Sequence, residues 1–433
     1  MITENKLCTC GKIHKNPVDE LLVGKGVINK LPEIMIRRNI KKVFILADTN
    51  TYSVAGKIVT QLLDTAEIKH SEYIFKTTAP LEPDEASVGS AMMHFDNSCD
   101  GIIAIGSGVI NDIGKILGNI SGKLYIIVAT APSMDGYASE SSSMSMDGVK
   151  VSLPTKCPDI IIGDIDILKT APDDMLRSGM GDMLAKYISI CEWRISNLIT
   201  GEYYCEEVAQ LVRDSLKKCT DNAKELLMGD EDAICSVFNG LVSCGIAMSY
   251  AGLSRPASGV EHYISHIWDM RGLEFGTPVN FHGIQCAIGT YIAAQLYEKI
   301  KSIIPHKEKA LKFAENFDFA DWSKTLRSFI GSGAEAMIAM EEKEKKYDKD
   351  KHKKRIDIII DKWDEILKIT DDEIPKISDL DKIYDAIAIP KTPAEIGISN
   401  ELIPLTFKTS KDIRDKYVLS RLFWDLGIIE EIF

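Results

Sequence analysis

Four short apolar runs in the first 170 residues constrain this chain more than any other feature: KVFILAD (42–48), GIIAIGS (101–107), LYIIVAT (124–130) and DIIIGDIDIL (159–168). The first three are nearly continuous in apolar residues rather than alternating, which is the pattern of a strand covered on both faces, and the segment 159–168 reads as further strand. Helical segments separate them, the first expected around 53–64. Buried strands alternating with helices make an α/β fold, a doubly wound, mostly parallel sheet. After Ala171 the strand signal fades and long helical patterns take over, at 173–198, 203–228, 231–251, 283–300 and 305–317. Pro172 followed by the acidic pair Asp173-Asp174 suits a helix N-terminus. The expected organisation is an α/β domain over 1–171 and an all-helical domain over 172–433. The charge run 341–353 (EEKEKKYDKDKHK) reads as a solvated helix face or connector without a chemical role.

A formal charge of -13 argues against a nucleic-acid partner, which wants a basic face, but leaves room for an anionic small molecule at local cations. No uninterrupted apolar run approaches the roughly 20 residues of a membrane helix. The start, MITENKLCTCGKIHK, lacks the apolar core of a secretory signal. The ten cysteines are scattered, so reduced thiols in a cytoplasmic protein are expected, with no membrane insertion.

Three groups of residues carry candidate chemistry. The first is the turn Gly106-Ser107-Gly108 between a strand and a helix, where paired glycines admit a pyrophosphate to the helix N-terminus. Asn111 stands where a third glycine would complete the fingerprint, so the turn alone is a weak signal. Asp48, at the polar end of an earlier strand, offers a carboxylate to ribose hydroxyls or serves as a helix cap. The second group is His262, His266 and His282. The first two are four apart and share a face if helical, near Arg255 and Glu261, a pattern that suits a metal or a proton-transfer site. Spacing alone does not select a carboxylate partner. The third is Cys8, Cys10 and His14, a CxCxxxH group with three potential ligands for a second metal; a structural or incidental role is the simpler reading.

The motifs GSGVIND (106–112), TAPSMDGYAS (130–139), DIDILKTAP (164–172), RSGMGDMLAKY (177–187), SRPASGVEHYISH (254–266) and HG (282–283) occur in an order that resembles the metal-dependent polyol dehydrogenases. That superfamily includes glycerol dehydrogenase, iron-type alcohol dehydrogenases and dehydroquinate synthase. TAPSMDGYAS and SRPASGVEH are most similar to the sn-glycerol-1-phosphate dehydrogenases, and CTCGKIH to their bacterial, AraM-like branch. The resemblance implies a dehydroquinate synthase-like fold, an NAD(H) or NADP(H) cofactor, and one divalent metal held by Asp182, His262 and His282. Nickel or zinc suits these ligands, and iron fits the same types. It places cofactor contacts on Asp48, Gly106, Ser107, Gly108, Asp112, Thr130, Ser133 and Ser139, and Asp135 beside the substrate hydroxyls. His266 falls near the nicotinamide, and His266 or Asp135 is the expected catalytic proton relay. Val109 departs from the family's phosphate turn, which bears on individual contacts rather than the fold.

The activity so implied is reversible reduction of dihydroxyacetone phosphate to sn-glycerol 1-phosphate, feeding glycerophospholipid synthesis, in a homodimer. For the substrate phosphate the sequence offers Arg255, then Lys186. The alternative is a glycerol or other polyol dehydrogenase acting on an unphosphorylated substrate. Asp48 favours a free ribose hydroxyl and hence NAD(H), weakly enough that both cofactors stay open.

Overall fold

The apolar runs become the centre of a parallel sheet because both of their faces are covered. In the computed structural model, which describes residues 6–76, 81–146 and 149–433, the strands are β1 (Glu20–Gly24), β2 (Lys42–Asp48), β3 (Lys69–Phe75), β4 (Gly101–Gly106), β5 (Leu124–Ala129), β6 (Ser141–Met146), β7 (Val149–Pro154) and β8 (Ile160–Asp164). Six form one all-parallel sheet in the order β1-β8-β5-β4-β2-β3, while β6 and β7 make an antiparallel hairpin. Ile45, Ile103, Ile126 and Ile160 point into one core, and Phe44, Leu46, Ile102 and Ile127 are equally buried on the opposite face. Each such side chain contributes about 1.5–3 kcal/mol by leaving water.

The order of the strands has a consequence for binding. From β2 the chain goes to β3 on one side, then to β4, β5 and β8 on the other. The reversal between β2 and β4 opens a crevice at their carboxyl ends, the place where open α/β sheets bind ligands. Asp48 ends β2 and Gly106 ends β4.

Residues cluster into two compact units, Met1–Met183 with Gln210–Leu253, and Leu184–Ala209 with Ser254–Phe433. The boundary expected at 171 falls just before helix α2 (Asp173–Leu184), and the first unit also takes helix α4 (Glu231–Ala251). This helix is long and apolar enough to cross a membrane, although polar residues interrupt its apolar run. Its apolar surface is used in the first unit: Phe238 packs edge-on to Tyr137, with ring centres 5.3 Å apart, and Gly245 lies against the Ala138 backbone.

Other differences have local causes. DIIIGDIDIL is a strand only to Asp164, whose carboxylate accepts the Asp166 N–H and starts a short helix over Ile165–Leu168. The strands β1, β3, β6 and β7 were not anticipated, being short or polar segments at sheet edges or in a hairpin. The helix expected over 173–198 is interrupted at Ala185, and α3 (Lys186–Thr200) follows. The second unit packs α3, α5 (Val260–Phe275) and α6 (His282–Ile300) around Ile188, Ile264, Trp268 and Ile288. The charge run 341–353 is not wholly solvated: Glu341, Tyr347 and His352 are buried, and Glu341 accepts the N–H groups of Lys346 and Tyr347. All ten cysteines are free thiols.

Helix α1 (Gly108–Ser121) lies so close to β5 that a Cβ on Gly114 would sit 2.4 Å from the Tyr125 hydroxyl. Gly114→Ala is expected to cost about 1–3 kcal/mol in urea unfolding. Gly89→Ala, in a helix with open space around that Cβ, is expected to add roughly 0.5–1 kcal/mol through helix propensity. Equal effects of the two substitutions would refute the packing argument.

Candidate functional site

The strand-to-helix turn is built as the motif required. Gly106 closes β4 where a Cβ would lie 2.5 Å from Ile110, and Gly108 opens α1. The first-turn N–H groups of α1 therefore face the switch-point crevice, an arrangement that attracts phosphate. Asp48 caps the next helix: its Oδ1 accepts the N–H groups of Asn50 and Thr51 at 2.7 and 2.9 Å, which leaves Oδ2 outside the capping bonds. Thr130 follows β5 and its N–H bonds the Gly106 carbonyl at 3.1 Å, so it stands beside the turn. Asn111 is buried in the position of the missing glycine; its Nδ2 donates to Gly136 O and its Oδ1 accepts from Tyr125. Close packing of helix on strand falls instead to Gly114 and Gly118.

Sequence reasoning missed Lys115. Its buried Nζ donates to Gly136 O (2.5 Å), Ser139 Oγ (2.9 Å) and Ser141 O (2.9 Å). Burial lowers its pKa, against the opposing pull of Asp112, whose carboxylate lies 3.6 Å away. Burial in turn pushes the Asp112 carboxyl up to about 6, with Lys115 resisting. The Ser139 hydroxyl donates within the same segment, to Gly136 O or Ser141 O, so its first role is to hold the turn. A lysine three residues beyond Asp112 on one helix face was the available signal.

Helix α2 carries the 130–135 segment. A Cβ on Gly179 would fall 1.8 Å from Pro132 O, and Ser178 Oγ donates to Ser133 O at 2.8 Å. Asp182, on the same helix and fully buried, accepts the Asp135 N–H at 2.9 Å through Oδ2. Asp182 and Asp135 are thus brought together within the first unit.

In the second unit His262, His266 and His282 do converge. Ring centres are 5.1 Å apart for His262–His282, 5.9 Å for His266–His282 and 6.4 Å for His262–His266. His262 Nδ1 lies 2.8 Å from Glu261 Oε1, which also accepts the Gly259 N–H. A carboxylate there keeps the proton on Nδ1 and presents Nε2 as a lone pair, the arrangement found behind metal-binding histidines. Gly289 lets α6 cross α5 at this level, since a Cβ would lie 2.7 Å from Glu261 O. His282 begins α6, near Ser265. Cys286, one turn on, was not anticipated; its Sγ is 3.5 Å from His282 Nε2, and His262, His282 and Cys286 all offer ligand atoms within 4.8 Å of one another. Burial raises the Cys286 thiol, but His262 and His282 outweigh it and bring the pKa below its usual value. The i, i+4 spacing in HGIQC would have revealed it. Burial, with Arg414, His282, His262 and Lys416 adding repulsion, holds the His266 imidazole well below its ordinary range and hence neutral.

Arg255 requires a correction. It is buried, and its guanidinium donates to Glu202, Tyr417 O and Ser196 Oγ, a structural ion pair rather than a presented phosphate ligand. Lys186 is also buried and donates to Ala257 O. Arg414 and Lys416 lie near enough to His266 to repel its charged form, and Lys416 Nζ donates to Ser258 O at 2.8 Å. Burial, aided by Arg255 and Arg414, pushes Lys416 down to about 7, and no ion pair of Arg414 occurs among the described residues. The loop KDIRDK (411–416) has no pattern that marks it in sequence.

A family model described as iron-containing alcohol dehydrogenase matches residues 22–172. The chain is 30% identical over 415 residues to a protein of Halalkalibacterium halodurans named glycerol-1-phosphate dehydrogenase [NAD(P)+], covering 95% of this chain and 94% of that one. A protein of the same name from Pyrococcus furiosus is 33% identical over 279 residues, 64% of this chain and 78% of its own length. Among solved structures, glycerol dehydrogenase from Schizosaccharomyces pombe superposes with a TM-score of 0.61 at 15% identity, covering 99% of this chain and 92% of that one. The likeness establishes the fold.

Two outcomes follow from the geometry. Glu261→Gln removes the charge behind His262, and affinity for a divalent metal, measured by competition with a chelator, is expected to fall roughly tenfold or more. Asp112 has a folded pKa raised above its unfolded value, so its contribution to stability is complete below about pH 4 and is lost as pH rises through about 6. Between those pH values Asp112→Asn is expected to lose less stability than the parent protein, by about 3 kcal/mol at most, in urea titrations at each pH. A parallel decline in both proteins would refute the assignment.

Proposed function

Since the chain belongs to the glycerol-1-phosphate dehydrogenase family, we propose that it reduces dihydroxyacetone phosphate reversibly to sn-glycerol 1-phosphate, using NAD(P)H and a divalent metal. The observation that carries this reading is the pairing of His262 with His282, with the carboxylate of Glu261 fixing His262 so that Nε2 is presented. The residues fit a metal: two imidazoles with oriented lone pairs, to which the family pattern adds the carboxylate of Asp182. A thiol at Cys286 favours nickel or zinc over a hard cation, and iron accepts the same ligands. When bound, the metal supplies Lewis-acid polarisation of a ketone and the nicotinamide supplies the hydride.

The chain's own residues do the rest. The first-turn amides after Gly106, Ser107 and Gly108 bind the pyrophosphate, and Asp48 Oδ2 accepts from a ribose hydroxyl. Asp112, Thr130, Ser133 and Ser139 frame that cofactor. Asp135 hydrogen-bonds the substrate hydroxyls, held by the bond from its N–H to Asp182. His266, kept neutral, both accepts and donates, so it passes a proton to the substrate oxygen. Arg414 and Lys416, rather than Arg255, take the phosphate: burial first and repulsion from Arg255 and Arg414 second lower the pKa of Lys416, and a dianion offsets both. Lys186 is a weaker candidate for the same task. We further propose that the enzyme works in the cytoplasm as a homodimer and that its product enters glycerophospholipid synthesis.

Turnover is measured with metal-stripped protein on dihydroxyacetone phosphate and on dihydroxyacetone, restoring nickel, zinc or iron with NADH or NADPH. The phosphorylated ketone is expected to be the better substrate by kcat/KM; preference for dihydroxyacetone would replace this reading with a polyol dehydrogenase. Arg414→Gln is expected to raise KM for the phosphorylated substrate roughly tenfold or more, with little change for the unphosphorylated one. Equal changes would remove Arg414 from the phosphate site.

A further inference from the structure

We infer that Cys8, Cys10 and His14 form a second metal site, structural in role and suited to zinc. The segment makes a tight turn: Leu7 and Ile13 pair as an antiparallel bridge, Cys8 N–H bonds Lys12 O, and Gly11 N–H bonds Cys8 O. Gly11 has φ +84°, the left-handed conformation that a residue with a Cβ rarely adopts, although nothing crowds its position. The turn brings the ligand atoms of Cys8, Cys10 and His14 within 4.8 Å of one another. Cys10 Sγ and His14 Nε2 are 3.5 Å apart. A tetrahedral zinc with Zn–S of about 2.3 Å and Zn–N of about 2.05 Å spans an S···N edge of about 3.6 Å.

The protonation of His14 points the same way. Its Nδ1 lies 3.1 Å from the Tyr250 carbonyl, which can only accept, so Nδ1 carries the proton and Nε2 turns its lone pair toward the thiols. Tyr250 and Ala251 end helix α4, where last-turn carbonyls lack intrahelical donors. Lys12 Nζ takes the Ala251 carbonyl at 2.9 Å, so the turn caps that helix. Apolar burial does not explain why the turn is ordered. Leu7 and Ile13 are 73% and 54% exposed, whereas His14 is 1% exposed and Cys8 8%. A segment that buries its imidazole and thiol and exposes its aliphatics is organised from its polar side. A metal at those polar side chains adds cohesion, as in other segments too small for a core.

Binding replaces two thiol protons with two sulfur–metal bonds and one nitrogen–metal bond, releasing both protons, so affinity falls as pH falls. The fourth position is completed by a further thiolate or by water. This site is independent of the proposed catalytic metal, and its test does not depend on turnover.

The full-length protein is stripped, reloaded with cobalt(II), and examined for a thiolate-to-metal charge-transfer band whose intensity counts the thiolates. The band is expected, and the double variant Cys8→Ser/Cys10→Ser is expected to lose it together with one metal equivalent per chain. No band in the parent protein overturns the inference, as does a band that survives in the double variant and disappears in Cys286→Ser. If the double variant does not fold, alkylation mapped by mass spectrometry on the parent protein decides. Zinc is expected to slow modification of Cys8 and Cys10 roughly tenfold relative to chelator-treated protein; unchanged rates overturn the site.

Discussion

Lys115 is the group on which the organisation of the first unit turns. One buried ammonium donates to Gly136 O, Ser139 Oγ and Ser141 O, with Asp112 as its nearest countercharge. Burying that charge costs several kcal/mol, and only a full set of acceptors offsets it. The acceptors belong to the segment that follows Asp135, while the lysine belongs to the helix whose first turn lies at the crevice between β2 and β4. Asn111 reaches the same Gly136 carbonyl from one turn earlier. The glycine turn and the Asp135 segment are therefore tied together by hydrogen bonds, and Gly179 with Ser178 seats the preceding residues on α2.

A second principle recurs in both units: the partner of one histidine nitrogen decides what the other nitrogen presents. Glu261 fixes Nδ1 of His262, and the Tyr250 carbonyl fixes Nδ1 of His14. In each case further residues of metal-ligating type lie close by, His282 and Cys286 in one, Cys10 and Cys8 in the other, with His14 Nε2 3.5 Å from Cys10 Sγ. The partners differ in consequence. A carboxylate raises the basicity of its imidazole, which suits a metal that must polarise a substrate, whereas a neutral carbonyl only orients, which suits a structural ion.

Much of this was legible in the chain. The central strands announce themselves because a strand buried on both faces has nothing but apolar residues to show, and Gly106 and Gly108 mark the turn that follows. The edge strands β1 and β3 were not legible, since an edge strand needs no continuous apolar run. The histidine cluster could be suspected from spacing on a helix, and Cys286 could have been found by the same rule. Arg255 could not be judged: a buried ion pair and a phosphate ligand use the same residue, and only the positions of Glu202, Ser196 and Tyr417 distinguish them.

The sequence by itself determined the class of fold, the glycine turn between a strand and a helix, and a set of residues of metal-ligating type, because periodicity and residue chemistry are local properties. Tertiary structure decided which of those residues meet. It set the switch point between β2 and β4, committed Arg255 to Glu202, gave Asp135 the support of Asp182, and brought Arg414 and Lys416 to His266 from some 150 residues further along the chain. It also folded Cys8, Cys10 and His14 onto the end of a helix more than 200 residues away. Contacts at such separations depend on the packing of whole elements, and no local pattern encodes them.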